Sequence, residues 1–567
     1  MLRLATVCSF FISVVICLES YSESLDITHL PGNKVNTAFS FTSVSDSVNK
    51  QHFDVLPRPL VSILLNYQIE ELHLTLTQGL WRDNLWGYSP HSAPPGGQFH
   101  VWFGGQLADI DERWINVRNS ISGITCASLG ALSSEDTISP KLSLKPAGLT
   151  STKGDNRYMR YGVSPFEVVC TENLTPWLKL LPCGSSAGLA SLLDASKLYD
   201  TTYHSLAIHV RRVNCEGCSS PGWEIKLTLS LVFSPVSCQG GRIGVSGPCW
   251  GELLLSHVQS LTKLRINNVN IKSLEPIDAL EITPPEYTTV SDNEISFDAH
   301  NITTVKILNV YLRFKNKEIS TGLEENPALL AHTYISRVSS SSSGHLVSVF
   351  TNSKDHDIKI LYLQSIPWYL RAYVHTMKLE QILPASKQLS FEDLSLTLAK
   401  DRSHPYTFET ILTVPAGSTT KFSIQFDPLM LRWNEYPPDA HHGRSIPSGI
   451  ITFKNDGQVV RLYTESPLVY LPTPDFSMPF NVLCLVSTVI AIVYGSIFSL
   501  TTKDLVCIKE TEVKKGLLLQ LVTGIRGLFK KEGSFKETSE TEPEVNKVSE
   551  EKDSNSIEDC SKIEDEK

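Results

Sequence analysis

From about residue 70 onward, apolar and polar residues alternate with a period of two in one short stretch after another. Leu72, Leu74 and Leu76 interleave with His73, Thr75 and Thr77; Leu206, Ile208 and Val210 with Ala207, His209 and Arg211; Ile225, Leu227, Leu229 and Leu231 with Lys226, Thr228 and Ser230. Successive side chains of a strand point to opposite faces, so this period predicts strands with one face in a core. Similar runs occupy residues 305–314, 358–363, 369–379, 394–398, 422–426 and 459–463. Many short alternating strands separated by Pro, Gly and Ser turns predict a mainly β protein built of antiparallel β-sandwich domains. Helical spacing is confined to residues 56–65, 113–124 and 187–198, the last with Leu189, Leu192 and Leu193 on one face.

Two segments carry no alternation at all. Residues 480–500 are an uncharged apolar run, and at 1.5 Å per residue a helix of that length spans about 30 Å, the hydrocarbon thickness of a bilayer. One transmembrane helix is predicted there. At the other end Arg3 precedes an apolar stretch from Leu4 to Leu18, the pattern of a secretory signal peptide over residues 1–20. Lys503, Lys509, Lys514 and Lys515 follow the apolar run closely, whereas Arg461 is the nearest basic residue before it. Positive charge stays on the cytosolic side, so the body is expected in the lumen and the tail in the cytosol.

The expected plan is therefore a signal peptide (1–20), an N-terminal lumenal β-rich domain (21–290), a C-terminal lumenal β-sandwich domain (291–475), the transmembrane helix (480–500) and a cytosolic tail (501–567). The serine run 339–343 reads as a loop, and the Asp-Asn-Glu stretch after Ser291 as the boundary between the halves. Residues 516–531 have the pattern of an amphipathic surface helix, weakened by two interior glycines. Beyond Lys531 the tail is rich in Ser, Glu and Lys and is expected to be acidic and disordered.

Composition adds two constraints. The net charge of -10 comes partly from that tail, and the body has no basic patch, which argues against nucleic-acid binding. Of 12 cysteines, Cys126, Cys170, Cys183, Cys215, Cys218, Cys238 and Cys249 fall in the lumenal part. Seven is odd, and in an oxidising compartment an odd set leaves one thiol free or bonded to another chain.

Candidate chemistry is sparse. Gly184-Ser-Ser-Ala-Gly188 matches a nucleophile elbow centred on Ser186, but the elbow needs a strand running into it, and Pro182 suits a central strand poorly. The reading preferred is a helix start. Cys215-Glu-Gly-Cys218 lacks a second pair at zinc-ribbon spacing and reads as a structural disulfide. Asp439 with His441 and His442, and Asp355-His-Asp357, read as polar loops before metal sites; Asp109, Asp111 and Glu112 read as a charged turn before a glycosidase pair. Trp81, Trp86 and Trp102 suit a core or interface better than a sugar-stacking surface. Two N-glycosylation sequons occur, at Asn173 and Asn301, of which Asn301 is the better acceptor because Pro176 and Cys170 crowd the other.

Four stretches, in order along the chain, are Glu71-Leu-His-Leu-Thr-Leu-Thr-Gln-Gly-Leu-Trp81, Cys170-Thr-Glu-Asn-Leu-Thr-Pro-Trp177, Ile366-Pro-Trp-Tyr-Leu-Arg371, and Val460-Arg-Leu-Tyr-Thr-Glu465 followed by Leu471-Pro-Thr-Pro-Asp-Phe-Ser-Met-Pro479. Together they closely resemble the phosphatidylinositol-glycan class T subunits of the GPI transamidase, over about residues 56–500. The resemblance implies a glycoprotein of an endoplasmic-reticulum membrane complex that exchanges a precursor's C-terminal signal for a GPI lipid. It implies a non-catalytic subunit without a cofactor, beside a cysteine-protease-like catalytic subunit and multi-span membrane subunits, with GPI lipid and precursor proteins as the substrates of the whole. It also implies that Cys170 forms an intermolecular disulfide to the catalytic subunit, in keeping with the odd cysteine count, which alone does not choose among the seven. Apart from the resemblance, a type I membrane lectin-like or adhesion receptor and a lumenal serine hydrolase using Ser186 are the alternatives.

Overall fold

The alternation at residues 72–76, 206–210 and 225–231 is realised as three adjacent antiparallel strands, Ile69–Gln78, Thr201–Val213 and Gly222–Phe233, in a computed structural model of the chain. It describes residues 20–32, 34–45, 55–152, 154–165, 167–169, 171–182, 184, 188–193, 201–214, 221–233, 265–272, 280–283, 288–291, 294–297, 311–314, 327–337, 343–436, 439–455, 457–475 and 477–502. The three strands lie in the middle of an 11-stranded sheet. From one edge the sheet runs Thr288–Ser291, Glu294–Phe297, Arg265–Lys272, Ser20–Leu30, Lys34–Ser45, Gly222–Phe233, Thr201–Val213, Ile69–Gln78, Gly96–Phe103, Met159–Ser164 and Thr137–Ile138. Ser20–Leu30 pairs with Arg265–Lys272 in parallel; the other pairings are antiparallel.

Register decides what each face buries. Leu72, Leu74 and Leu76 stand opposite Val101, Phe99 and Gly97 on one side and Val210, Ile208 and Leu206 on the other. This apolar face is covered by three helices, α1 (Arg58–Asn66), α3 (Ile110–Thr125) and α4 (Thr171–Leu178), with a short α2 (Asp83–Trp86) between the first two in sequence. Trp114 of α3 stacks on Phe99 at 5.1 Å between ring centres, and Trp177 of α4 meets Phe41 edge-on at 5.9 Å.

From Leu329 on, the chain builds two five-stranded antiparallel sheets. One runs Leu329–Arg337, Gly344–Asn352, Thr419–Pro428, Leu370–Leu383, Lys387–Gln388; the other Asp393–Thr397, Tyr406–Val414, Ile358–Ile366, Ile450–Asn455, Gln458–Tyr463. Inward residues of both, among them Phe350, Ile360, Tyr362, Phe408, Phe422 and Phe453, share one core, which makes the pair a sandwich. Tyr362 meets Phe350 and Phe422 edge-on, at 5.2 and 5.6 Å. The second face of the 11-stranded sheet carries Trp102, Met159, Tyr161 and Val163, and these pack with Leu363 and Ile450 of the sandwich. Met1–Asp475 is one compact unit.

Phe476–Lys567 forms a second unit, described through α5, Ser477–Thr502, a 26-residue helix that is long and apolar enough to cross a membrane. The expectation of a mainly antiparallel β protein with one C-terminal apolar helix holds. Within the helical spacing at 187–198 the described residues show a single 3-10 turn, Leu189–Leu192, which Leu193 leaves with extended backbone (φ -80°, ψ 109°). Residues 194–198 lie outside the described residues, as do residues 1–19 of the signal segment, Asn301, residues 305–310 of the 305–314 run and the acidic tail.

Candidate functional site

Three of the four quoted stretches put side chains at the seam between the large sheet and the sandwich. The first supplies Glu71, whose buried carboxylate accepts hydrogen bonds from the N–H groups of Ala147 (3.0 Å) and Gly148 (2.8 Å). Glu71 also pairs with His73 Nε2 at 2.6 Å, and His73 Nδ1 meets His209 Nδ1 at 2.9 Å across the register. Neutral rings satisfy both contacts when His73 carries its proton on Nε2 and His209 on Nδ1. Burial holds His209 and the nearby His100 well below the ordinary histidine range, which favours a neutral His209. In the same stretch Gly79 has φ +87° and lies so close to the Thr202 carbonyl that a Cβ would sit 2.7 Å from it, so only glycine fits. Trp81 then packs edge-on against Trp86 (5.2 Å) and Tyr203 (5.4 Å) and donates to the Gly87 carbonyl at 2.7 Å.

The loop held by Glu71 is gripped from the sandwich side as well. Glu409, on Tyr406–Val414, turns its buried carboxylate onto the N–H groups of Lys141 (2.5 Å), Leu142 (3.1 Å) and Ser143 (2.9 Å). Trp368 of the third stretch donates Nε1–H to Glu135 at 2.6 Å and lies under the Arg402 guanidinium at 4.9 Å. Tyr463 of the fourth donates to Gln98 Oε1 at 3.2 Å. Beside them opens a cleft of about 490 Å³ whose wall includes Leu132, Asp136, Val163, Tyr369, His442 and Arg444. Burial pushes the Asp136 carboxyl up, the Ser133 N–H and hydroxyl donate to it, and Arg444 lies over Tyr369 at 5.1 Å while donating to the Glu435 carbonyl at 2.6 Å. These groups join one layer to the other.

Asp83, Glu465 and His332 form a second charged group. His332 Nδ1 meets Glu465 at 2.8 Å and the Thr333 N–H donates to the same carboxylate at 2.7 Å. Burial opposes ionisation of Glu465, but these two hydrogen bonds outweigh it and its carboxyl lies below the usual value. Asp83 is pushed up to about 7, first by burial and then by the Glu465 charge, and His332 is raised by its bond to Glu465. A group that binds its proton more tightly folded than unfolded stabilises the fold fully below its unfolded value and loses that contribution as pH rises through its folded one. Both raised groups act in this sense, so their own contribution is smaller at pH 8 than at pH 5.5, opposite in sign to that of the buried, neutral His100 and His209. Asp83 is half-buried, and its share is about 2 kcal/mol after allowance for solvent. Asp83→Asn should raise the thermal midpoint more at pH 8 than at pH 5.5; an equal effect at the two pH values would refute the assignment.

The remaining stretch lies on the helical face. Cys126 ends α3 with left-handed backbone (φ 54°), and the carbonyls left over at that end, Thr125 and Cys126, accept hydrogen bonds from Asn173 Nδ2 at 3.2 and 3.0 Å. Asn173 is 2% exposed, and its amide is committed to the α3–α4 corner. Trp177 donates to the Ala207 carbonyl at 3.1 Å and fixes α4 on the sheet. Cys170 stands immediately before α4 and lies outside the described residues, as do Cys183, Ser186, Cys215 and Cys218.

The other candidates come apart. Among the described residues an α-helix and turns, not the strand that a nucleophile elbow needs, lead towards Gly184. Asp109 starts α3, Asp111 pairs with Arg160 at 2.7 Å, and Glu112 sits in the same exposed first turn. Asp439 caps the Ala440–His442 turn through the His441 N–H, and Asp357 accepts from Ala416 N–H. Among the described residues no three His, Cys, Asp or Glu side chains converge as metal ligands. Trp81, Trp86 and Trp102 are buried, as the core reading expects, and offer no stacking face to a sugar. The roles of Glu71 and Glu409 are not marked by any local pattern, because their partners lie 76–77 and 266–268 residues away.

Comparison with known proteins decides the family. A family model described as "Gpi16 subunit, GPI transamidase component" matches residues 5–248 and 257–526. The chain belongs to the Gpi16 family. It is 36% identical over 529 residues to the GPI-anchor transamidase component PIGT of Mus musculus, an alignment spanning 86% of this chain and 90% of the relative. The human PIGT component is also 36% identical, over 530 residues with the same coverage. The GPI transamidase component GPI16 of Saccharomyces cerevisiae is 27% identical over 570 residues, covering 88% of this chain and 92% of the relative. The Gpi16-family match spans both sheet systems and α5.

Proposed function

We propose that this Gpi16-family chain is a non-catalytic subunit of the GPI transamidase in the endoplasmic-reticulum membrane, with its body in the lumen and its C-terminal tail in the cytosol. It stabilises the cysteine-protease-like catalytic subunit and positions it at the membrane, where GPI lipid and precursor proteins arrive. The reading rests on one observation: the family match runs through the whole body and the span, and the side chains of its marker stretches are spent on packing. Glu71 and Trp368 brace the seam, and Asn173 and Trp177 brace the α3–α4 corner. A scaffold of that kind contributes position to a reaction carried out by another chain. Its multi-span membrane partners engage α5, Asn301 carries the glycan, and Cys170 forms the disulfide to the catalytic subunit.

Non-reducing gels of the purified complex test this. Wild-type chain should run as a heterodimer with the catalytic subunit, and Cys170→Ser should remove that band while co-purification persists through the remaining interface. Persistence of the band in Cys170→Ser would refute the assignment.

A further inference from the structure

The strand Thr419–Pro428 ends in a turn that holds two large apolar residues out of the core. Met430 is 65% exposed and Trp433 73%, while Leu431 between them is 5% exposed and packed in the sandwich. The turn is braced on every side. The Glu435 N–H donates to the Arg432 carbonyl at 2.9 Å, and the Glu435 carboxylate takes the Arg432 N–H at 2.8 Å and the Arg402 guanidinium at 2.5 Å. Arg444 binds the Glu435 carbonyl at 2.6 Å, and Tyr436 accepts the Leu431 N–H at 3.3 Å. A tryptophan on a loose loop could fold back onto apolar surface; this backbone is fixed with the indole outside.

The same turn is tied to the stem of the membrane helix. Tyr436 donates its hydroxyl to the Pro472 carbonyl at 2.5 Å, and α5 starts at Ser477. Five residues of extended chain span at most about 18 Å, so the covalent connection keeps Tyr436 close to the bilayer whatever path it takes. Exposed Arg432 beside Trp433 and Met430 completes the mixture of indole, apolar and cationic groups that suits the headgroup region, where an amphipathic ring has one side in hydrocarbon and its N–H in water.

We propose that the turn at residues 430–435 is a second membrane contact of the body, with Trp433 and Met430 seated in the headgroup region of the leaflet that α5 enters. The contact gives the body a second point on the bilayer beside the α5 stem, restricting its rotation about that stem. It rests on the reading of α5 as a membrane span and adds to it a surface of the folded body.

The test uses the full chain, with the subunits that co-purify with it, in phosphatidylcholine nanodiscs. The emission of wild type minus Trp433→Phe isolates one indole, and α5 contains no tryptophan to confuse it. That difference emission should be blue-shifted, quenched about twofold or more when the lipid carries brominated acyl chains, and little affected by aqueous iodide. Quenching by iodide but not by brominated lipid, or by neither as beneath another subunit, overturns the proposal. Met430→Asp with Trp433 retained should shift the same emission to the red; no shift also overturns it. Alkaline carbonate separates the two readings: release of the chain from membranes defeats the span and the proposal together, whereas retention without lipid quenching defeats the proposal alone.

Discussion

Glu409→Ala should destabilise the body by about 3 kcal/mol, from the loss of three hydrogen bonds to one carboxylate at a buried seam. The three N–H groups belong to consecutive residues, Lys141, Leu142 and Ser143, and converge on the two carboxylate oxygens. Removing the carboxylate takes away the one acceptor that all three share. Glu409→Gln keeps one carbonyl oxygen and turns an NH2 group towards donors, so its loss should be smaller but in the same direction. Glu392→Ala is the control. Its exposed pair with Lys359, 2.7 Å apart, is of the kind worth little. Thermal unfolding of the full chain in mild detergent, together with protease cleavage within residues 139–151, reads the outcome. Equal midpoints for Glu409→Ala and Glu392→Ala would show that the seam does not depend on this carboxylate.

The seam also explains what the sequence could and could not disclose. Alternation revealed the central strands because their apolar positions, Leu72 to Leu76 and Leu206 to Val210, face a core. The polar residues of the other face, Glu71, Thr75, Thr77, Gln98 and His100, are themselves buried. A period of two fixes which residues share a face and says nothing of what later covers it. Strand order is likewise hidden: Arg265–Lys272 joins Ser20–Leu30 in parallel across more than 230 residues of chain. The spacing of Leu189, Leu192 and Leu193 fits a helical face, but one turn is all that forms before Leu193 turns extended. Family stretches were visible as residues, but their work was not. Glu71 reads as one polar position among several until Ala147 and Gly148 are found on it, and nothing local distinguishes Trp433, which is exposed, from Trp368, which is buried.

On the function proposed above, exchanging α5 for an unrelated apolar helix of equal length should cut recovery of multi-span subunits by tenfold or more and leave the catalytic subunit bound. Ser487, Ala491, Gly495 and Ser499 recur every four residues along Ser477–Thr502, and a Cβ added at Gly495 would meet no atom within 4 Å. Small residues at that spacing let a second helix approach closely in lipid, where apolar burial itself supplies no drive to associate. The hydroxyls nearby are already engaged, Thr488 with the Cys484 carbonyl and Ser496 with that of Ile492, each at 2.7 Å. Association through this face therefore depends on close packing, which a generic apolar helix does not reproduce. The acidic segment after Lys531 has almost no large apolar residue to offer a partner, so truncation there should leave every subunit bound. Co-immunoprecipitation in mild detergent compares the exchanged, truncated and wild-type chains. Full recovery of every subunit with the exchanged helix would reduce α5 to an anchor.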